Sequence, residues 1–176
     1  IRDSPVVVAT SGLTLGGGCE LSLHADAIQA HNETYIGLVE LGAGLVPAGG
    51  GTKEAVLRLS ESYKKGDPEF NALMTWFMNI ASAKVSTSAE EGIDLGFIQV
   101  SDATTSNRKL LLKDAKEKAL SLASSGYVQP SPNENIKVHG RSAIAMFNAG
   151  IETMKQGGYI TAVSYTHLTL PTKPSG

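Results

Sequence analysis

Residues 5–25 of the 176-residue chain read PVVVATSGLTLGGGCELSLHA, and the fold class can be inferred from them. The β-branched run at 5–9 predicts a buried strand that ends in a turn at Gly12. The three glycines at 16–18 then lead into residues 19–25, whose leucines and small side chains suit a helix packed closely against the strand. Strand, glycine turn and helix in succession indicate an α/β protein.

The remaining pattern continues the alternation of short strands and helices. Three further strands are predicted, at 27–30, 34–37 and 97–100, with residues 31–33 as a polar turn between the first two. Five further helices are predicted: over about 53–59, from Pro68 with Asp67 as N-cap, from Ser88 to Asp94, over 107–123 and over 142–155. The second of these carries an apolar stripe that predicts a core or subunit contact rather than a cofactor site: Phe70, Leu73, Met74 and Phe77.

The chain divides into three predicted parts. Residues 1–126 form the core, and residues 127–162 add a proline-containing linker and a C-terminal helical extension. We expect residues 163–176 to be a translated sequencing adapter, because Val163–Thr172 can be encoded by a string that resembles a transposase adapter used in library preparation. His167 is therefore assigned no function.

The composition is that of one globular domain, with 41% hydrophobic residues and a mean hydropathy of −0.03. A formal charge of −2, a pI near 6.1 and scattered basic residues do not predict a basic surface that binds nucleic acid. No apolar run approaches the length that crosses a bilayer, so we expect no membrane insertion. The single cysteine, Cys19, excludes an internal disulfide framework and a multi-cysteine zinc site, and it favours a reducing cytoplasm.

Two glutamates lie beside glycine-rich turns, Glu20 two residues after Gly18 and Glu40 two residues before Gly42. Paired carboxylates suit acid-base catalysis because one can accept a proton while the other donates one. By position alone, however, a glutamate is more often a solvated surface charge. A helix that begins at Gly17 would offer free backbone N–H groups to a developing oxyanion, although the glycines equally permit close packing.

Other chemistry-bearing residues give weaker signals. His24 follows Glu20 by four residues and is interpreted as a packing residue or an exposed polar group rather than as catalytic. Cys19 is interpreted as a small buried side chain, because no partner base is evident beyond Glu20. His31 and His139 lie far apart in sequence, and no spacing resembles a metal site, so no metal is predicted.

Three motifs in order carry a family resemblance: GLTLGGGCEL at 12–21, IGLVE at 36–40 and GLVPAGGGT at 44–52. Together they resemble the enoyl-CoA hydratase, or crotonase, family. The resemblance implies a crotonase-type ββα spiral, truncated at its N-terminus and followed by C-terminal helices. Because the chain starts at Ile1 without methionine, we expect the natural N-terminus to be missing.

Carried over residue by residue, the resemblance implies that Glu20 and Glu40 are the two catalytic carboxylates. It also implies that the Gly17 N–H is one oxyanion-hole donor, and that Ala48 stands at a helix start near the water site, where hydratases commonly have glycine. The other oxyanion donor and the adenine pocket of the family would lie upstream of this chain.

The resemblance implies an acyl-CoA thioester as the substrate, with coenzyme A as part of that substrate and no cofactor in this domain. Details around His24, 44–51 and 140–160 look closer to the C-terminal hydratase domain of bacterial 3-hydroxyacyl-CoA dehydrogenase fusions, in which the missing dehydrogenase part would use NAD. A homo-oligomer or a β-oxidation partner is expected for the full protein. The resemblance implies an enoyl-CoA hydratase, and two alternatives to it stay open: an enoyl-CoA isomerase and a non-catalytic acyl-CoA-binding domain.

Overall fold

The structure is a computed structural model that describes residues 3–64, 66, 68–131, 135–160 and 162–169, with the side chains of 163, 167 and 169 left out. In chain order, its strands are β1 (Val7–Leu15), β2 (Ala27–Gly37) and β3 (Ala103–Thr105). Its α-helices are α1 (Gly17–Leu23), α2 (Gly51–Ser62), α3 (Glu69–Ala81), α4 (Ala89–Asp94), α5 (Leu111–Ser124), α6 (Gly140–Gln156) and α7 (Ala162–Thr169). Short 3-10 helices form at Glu40–Ala43 and Arg108–Leu110.

The three strands form one parallel sheet in the order β1-β2-β3. Val7 lies opposite Ala27, and the register continues to Thr10 opposite Ala30. It then shifts, because Gly12 lies opposite Thr34. Two strands joined by the helix α1 and lying parallel are the βαβ arrangement of an α/β fold, so the predicted class is confirmed.

The strand predictions need two corrections. Residues 27–37 form a single strand, and the polar residues 31–33, predicted as a turn, lie opposite Ser11 where the β1–β2 register shifts by two residues. The predicted strand at 97–100 is wrong: this segment is a turn, and the third strand comes at Ala103–Thr105. Asp102 explains the turn, since its carboxylate accepts the N–H groups of Gln99 at 2.8 Å and Ile28 at 2.7 Å.

The core lies between the sheet and the helices, with α4 and α5 packed on the strands and α3 packed on α6. Its largest fully buried side chains are Phe97, Ile28, Ile36, Leu38, Ile98 and Ile151. The apolar stripe of α3 serves this packing, because Leu73 is buried and Phe77 stacks on Phe147 with ring centroids 4.3 Å apart. The predicted N-cap Asp67 lies outside the described residues.

At the predicted start of α4, Ser88 and Glu91 have the spacing of a capping box, and the bond to the serine hydroxyl forms. The hydroxyl of Ser88 accepts the N–H of Glu91 at 3.1 Å, as an N-cap does. The carboxylate of Glu91 turns instead to Thr87, whose N–H and hydroxyl donate to it at 2.7 and 2.6 Å. These bonds, with the ion pair to Lys84, hold the pKa of Glu91 low, at about 2.

Arg58 of α2 joins three segments that surround the site described below. Its guanidinium donates to the carbonyl oxygens of Gly96 and Phe97 at 3.1 Å each and to that of Leu23 at 3.0 Å. Burial lowers the pKa of Arg58, and nearby carboxylates oppose that shift. The end of α1 is thereby fixed to α2 and to the turn after α4.

Helix α7 packs against the 3-10 helix that begins at Glu40. The Ser164 hydroxyl donates to the Leu41 carbonyl at 2.9 Å, and Leu168 packs with Leu41 and Met154. This packing does not test whether residues 163–176 are foreign, which stays a prediction. Across the described ranges, no helix is long and apolar enough to cross a membrane.

Candidate active site

Glu20 is carried by a short helix whose start is set by a glycine. Gly16 adopts a φ of 54°, in the left-handed region that favours glycine, and its N–H donates to Gly37 O at 3.0 Å. The Gly16 carbonyl then accepts the N–H of Glu20 at 2.9 Å, which is the first bond of α1. Glu20 therefore sits one turn into α1, and only 7% of its surface is exposed.

The Glu20 carboxylate is held by the second glycine-rich turn. Its Oε1 accepts the backbone N–H of Gly51, the first residue of α2, at 2.9 Å. Its Oε2 lies so close to Gly49 that a β-carbon there would overlap it. Because residues 49 and 51 lack side chains, the start of α2 can approach the carboxylate closely.

Glu40 opens the 3-10 helix Glu40–Ala43 and faces the first glycine turn. Its Oε1 lies 3.3 Å from the position that a β-carbon on Gly16 would take, and its Oε2 is buried with no hydrogen-bond partner within the described part of the chain. Burial raises the pKa of Glu40, the backbone N–H of Glu40 itself opposes that effect, and the negative charge of Glu20 raises the pKa further.

The charge of Glu20 thus acts on Glu40, so the two predicted carboxylates interact electrostatically. Both also act on Cys19, which lies between the two glycine turns in sequence and is fully buried. Burial raises the pKa of the Cys19 thiol to about 12, and the charges of Glu40 and Glu20 add to the effect. Cys19 belongs to the core cluster, in agreement with its interpretation as a small buried side chain.

Gly17 is the first residue of α1, where a helix has no acceptor of its own for the backbone N–H. The residue is exposed, and a β-carbon on it would meet no atom within 4 Å. Open space therefore lies beside Gly17, as an oxyanion-hole donor requires, and the role itself stays a prediction.

Ala48 does not stand at a helix start, because α2 begins three residues later at Gly51. It lies exposed in a segment without regular secondary structure that leads to the glycines 49–51. The N–H that reaches Glu20 at the start of α2 is that of Gly51. A role of Ala48 at a water site stays a prediction.

Sequence reasoning missed two contributors to the site, Gly49 and the Gly51 N–H. The sequence signal that could have revealed them is the glycine triplet at 49–51, which belongs to the family motif at 44–52. His24, interpreted from the sequence as packing or an exposed polar group, has its Nδ1 2.7 Å from the Glu20 carbonyl oxygen and its Nε2 3.4 Å from Glu54.

His31 and His139 take part in packing elsewhere in the fold. His31 is buried in β2, and His139 precedes α6, packed against the rings of Tyr63 and Phe70. In the portion of the chain that the structure describes, no group of three or more His, Cys, Asp and Glu side chains could hold a metal ion.

Known proteins share both the sequence and the fold of this site. Residues 2–63, which contain both glutamates, match the family described as Enoyl-CoA hydratase/isomerase. A Bacillus subtilis protein named "Probable 3-hydroxyacyl-CoA dehydrogenase" is 44% identical over 157 residues, covering 89% of this chain and 19% of that protein. A 2,3-dehydroadipyl-CoA hydratase from Escherichia coli is 35% identical over 60 residues, covering 34% of this chain and 24% of that protein. The chain therefore belongs to the enoyl-CoA hydratase/isomerase family.

Solved structures confirm the crotonase-type fold. A carnitinyl-CoA dehydratase from Mycobacterium avium superposes with a TM-score of 0.54 at 20% identity, covering 100% of this chain and 63% of that one. An enoyl-CoA hydratase/isomerase from Cupriavidus metallidurans gives a TM-score of 0.51 at 21% identity, covering 94% and 50%. The chain spans 24% or less of the length of the two curated relatives named above.

Proposed function

We propose that the protein containing this chain is an enoyl-CoA hydratase, which adds water across the 2,3 double bond of an enoyl-CoA thioester. The observation that carries the proposal is the pair of carboxylates, Glu20 and Glu40, each set against a glycine turn and coupled by charge. The family assignment supports the same chemistry. Two carboxylates suit hydration because the reaction both removes a proton from water and delivers one to carbon.

The chemistry balances over these groups. The Gly17 N–H binds the thioester carbonyl oxygen and makes C3 electrophilic. One glutamate takes a proton from water as the water oxygen bonds to C3, and the other glutamate gives a proton to C2. The net result is the addition of one water molecule, and the proton held by the first glutamate returns to the second through solvent before the next turnover.

The surroundings of the two carboxylates favour one assignment of roles. Glu40 is the better proton donor, because burial and the charge of Glu20 raise its pKa and its Oε2 has no hydrogen-bond partner among the described residues. The base role falls to Glu20, whose Oε1 is oriented by the Gly51 N–H at the start of α2. Two carboxyl groups whose environments differ can share acid and base roles in this way.

The larger protein is proposed to act in fatty acid β-oxidation and to carry a 3-hydroxyacyl-CoA dehydrogenase part. This rests on the name of the Bacillus subtilis relative, of which the chain spans 19%. NAD would serve that dehydrogenase part, and a homo-oligomer or a β-oxidation partner would complete the assembly. A single cysteine supports the cytoplasm as the location.

The test compares two substrates with the full-length protein. We expect a 2-enoyl-CoA to be converted to a 3-hydroxyacyl-CoA, identified by mass as the addition of one water. An isomerase would instead convert a 3-enoyl-CoA to the 2-enoyl-CoA with no change in mass. Binding of both thioesters without conversion of either would indicate a non-catalytic acyl-CoA-binding domain and overturn the proposal.

A further inference from the structure

We propose that His24 and Glu54 form a positioning pair that holds the Glu20 carboxylate in its catalytic orientation. The proposal rests on the proposed function, since it names residues that act through the base of that reaction. In this role neither residue contacts the substrate, and both act by fixing the packing of α1 against α2.

The first half of the pair ties His24 to the backbone of Glu20. His24 is the C-cap residue of α1, and its Nδ1 lies 2.7 Å from the Glu20 carbonyl oxygen. Because a carbonyl oxygen only accepts, Nδ1 carries the hydrogen and donates it. This bond fixes the ring against the last turn of α1, four residues after the catalytic glutamate.

The second half reaches the first turn of α2. His24 Nε2 lies 3.4 Å from Glu54 Oε1, and the Glu54 side chain is only 11% exposed. Because Nδ1 already carries a hydrogen, Nε2 attracts this carboxylate when the ring is an imidazolium with a hydrogen on each nitrogen. Glu54 also pairs with Lys53, and its own N–H donates to the Gly50 carbonyl at 2.9 Å. The Glu54 carboxylate is therefore anchored in the turn that begins α2.

Three contacts join α1 to α2. Glu20 on α1 receives the Gly51 N–H, His24 meets Glu54 one turn further along each helix, and Arg58 donates to the Leu23 carbonyl at the end of α1. Glu54 lies three residues after Gly51 and Arg58 lies seven after it, so loss of the His24–Glu54 contact frees the start of α2 more than loss of the Arg58 bond does. The pair therefore keeps the Gly51 N–H on the Glu20 carboxylate.

Gly50 shows how closely the ring is fitted. A β-carbon on Gly50 would lie 2.9 Å from His24 Cε1 and 3.0 Å from Nε2, and Gly50 has a φ of 100° that favours glycine. The glycine before α2 thus leaves room for the His24 ring, just as Gly49 leaves room for the Glu20 carboxylate. The two contacts use adjacent glycines of one turn.

The experiment uses His24→Ala and the rescue variant His24→Gln in the full-length protein. A glutamine amide can donate from about the position of Nε2, so it restores the contact with Glu54. We expect His24→Ala to lower kcat about 10-fold with KM changed less than about twofold, because misplacing a catalytic group costs turnover more than binding. His24→Gln should recover at least about a third of the wild-type kcat.

A second arm separates positioning from general destabilisation. In a Glu20→Gln background, His24→Ala should lower kcat less than about twofold further, because the group through which it acts is already disabled. Glu54→Ala should lower kcat by about as much as His24→Ala does. The variant that combines His24→Ala with Glu54→Ala should have a kcat about equal to that of the slower single variant. Equal loss from His24→Ala in the wild-type and Glu20→Gln backgrounds would overturn the proposal.

A third arm does not depend on activity. Amide hydrogen exchange at Gly51 should accelerate about 10-fold in His24→Ala, while exchange at Ile151, buried in α6, stays unchanged. If the wild-type protein lacks hydratase activity but Gly51 responds in this way, the proposed function fails and the helix bridge stands. An active wild type with unchanged kcat and unchanged Gly51 exchange in His24→Ala overturns the bridge alone.

Discussion

The backbone N–H of Gly51 donates to Oε1 of Glu20 at 2.9 Å, so the first residue of α2 holds a carboxylate carried by α1. The two residues lie 31 positions apart in the chain. This bond joins the two glycine-rich turns into one site. Glu40, which faces the first of those turns, completes the pair of carboxylates.

Adding a methyl group at Gly49 should disable the site. A β-carbon there overlaps Glu20 Oε2, so Gly49→Ala should displace the carboxylate and lower kcat at least about 10-fold. Steady-state hydration of a 2-enoyl-CoA measures the loss.

The matched control is Gly150→Ala, in α6 and away from the glutamates. A β-carbon there meets the Met74 side chain at 3.5 Å, which is ordinary contact. We expect unchanged turnover and a gain of about 0.4–1 kcal/mol in the free energy of unfolding, because alanine reduces the freedom of the unfolded chain. Equal turnover in Gly49→Ala and Gly150→Ala would refute the close approach at Gly49.

Glu40 should make stability depend on pH. Its folded-state pKa is raised above the ordinary value of 4.5, so the folded protein binds the proton more tightly than the unfolded chain does. Its contribution to stability is fully present below pH 4.5 and is lost as pH rises through the raised folded pKa. Glutamine does not titrate, so wild type should lose stability relative to Glu40→Gln across that window. Urea unfolding of both proteins from pH 4 to 8 measures the difference, and parallel curves would show that the pKa of Glu40 is not raised.

Arg58 should be a strong determinant of stability. Its guanidinium donates to the carbonyl oxygens of Leu23, Gly96 and Phe97, and an ammonium group cannot span the same three acceptors. Arg58→Lys should lower the free energy of unfolding by about 1–3 kcal/mol. The control Arg141→Lys changes an exposed side chain of α6 and should stay within about 0.5 kcal/mol. Equal denaturation midpoints for the two variants would show that the three hydrogen bonds of Arg58 do not stabilise the fold.

Local signals in the sequence predicted the helices well. The glycines before Glu20 predicted α1, and the serine at 88 predicted the start of α4, since caps and turns act within a few residues. The single strand β2 was not predicted, because its middle is polar and is held by pairing with strands that are distant in sequence. The apolar run at 97–100 was wrongly predicted to be a strand because burial alone does not require strand pairing. Phe97 and Ile98 are buried without any strand partner among the described residues.

For the site, the family motifs predicted which glutamates meet, but local sequence could not predict how they are held. The bond from Gly51 depends on where α2 starts relative to α1, and the bridge from His24 depends on the same packing. Both are products of tertiary structure. A lone histidine four residues after a glutamate gives no sign of a partner thirty residues later.

The foreign origin of residues 163–176 stays a prediction that sequencing can test. Independent reads across the same locus should depart from this sequence at about Val163, because the codons that fit Val163–Thr172 match an adapter. Reads that encode the same ten residues and continue into native sequence would contradict it. In that case the contact between Ser164 and the Leu41 carbonyl would be a native support for the helix that carries Glu40.

The proposed mechanism requires two glutamates to share the proton transfers of one hydration. Glu20→Gln and Glu40→Gln keep the size of the side chain but cannot exchange protons, so each should lower kcat about 10²- to 10⁴-fold while thioester binding is retained. The double variant should lose less than the product of the single losses, because residues that act as a unit are not additive.

The decisive measurement is therefore the steady-state hydration of a 2-enoyl-CoA by the full-length wild-type protein and by each single variant. We expect a large fall in kcat for both Glu20→Gln and Glu40→Gln, with the affinity for the thioester preserved. Loss in only one variant would point to a one-carboxylate isomerase, and near-normal hydration by both would contradict the two-glutamate mechanism.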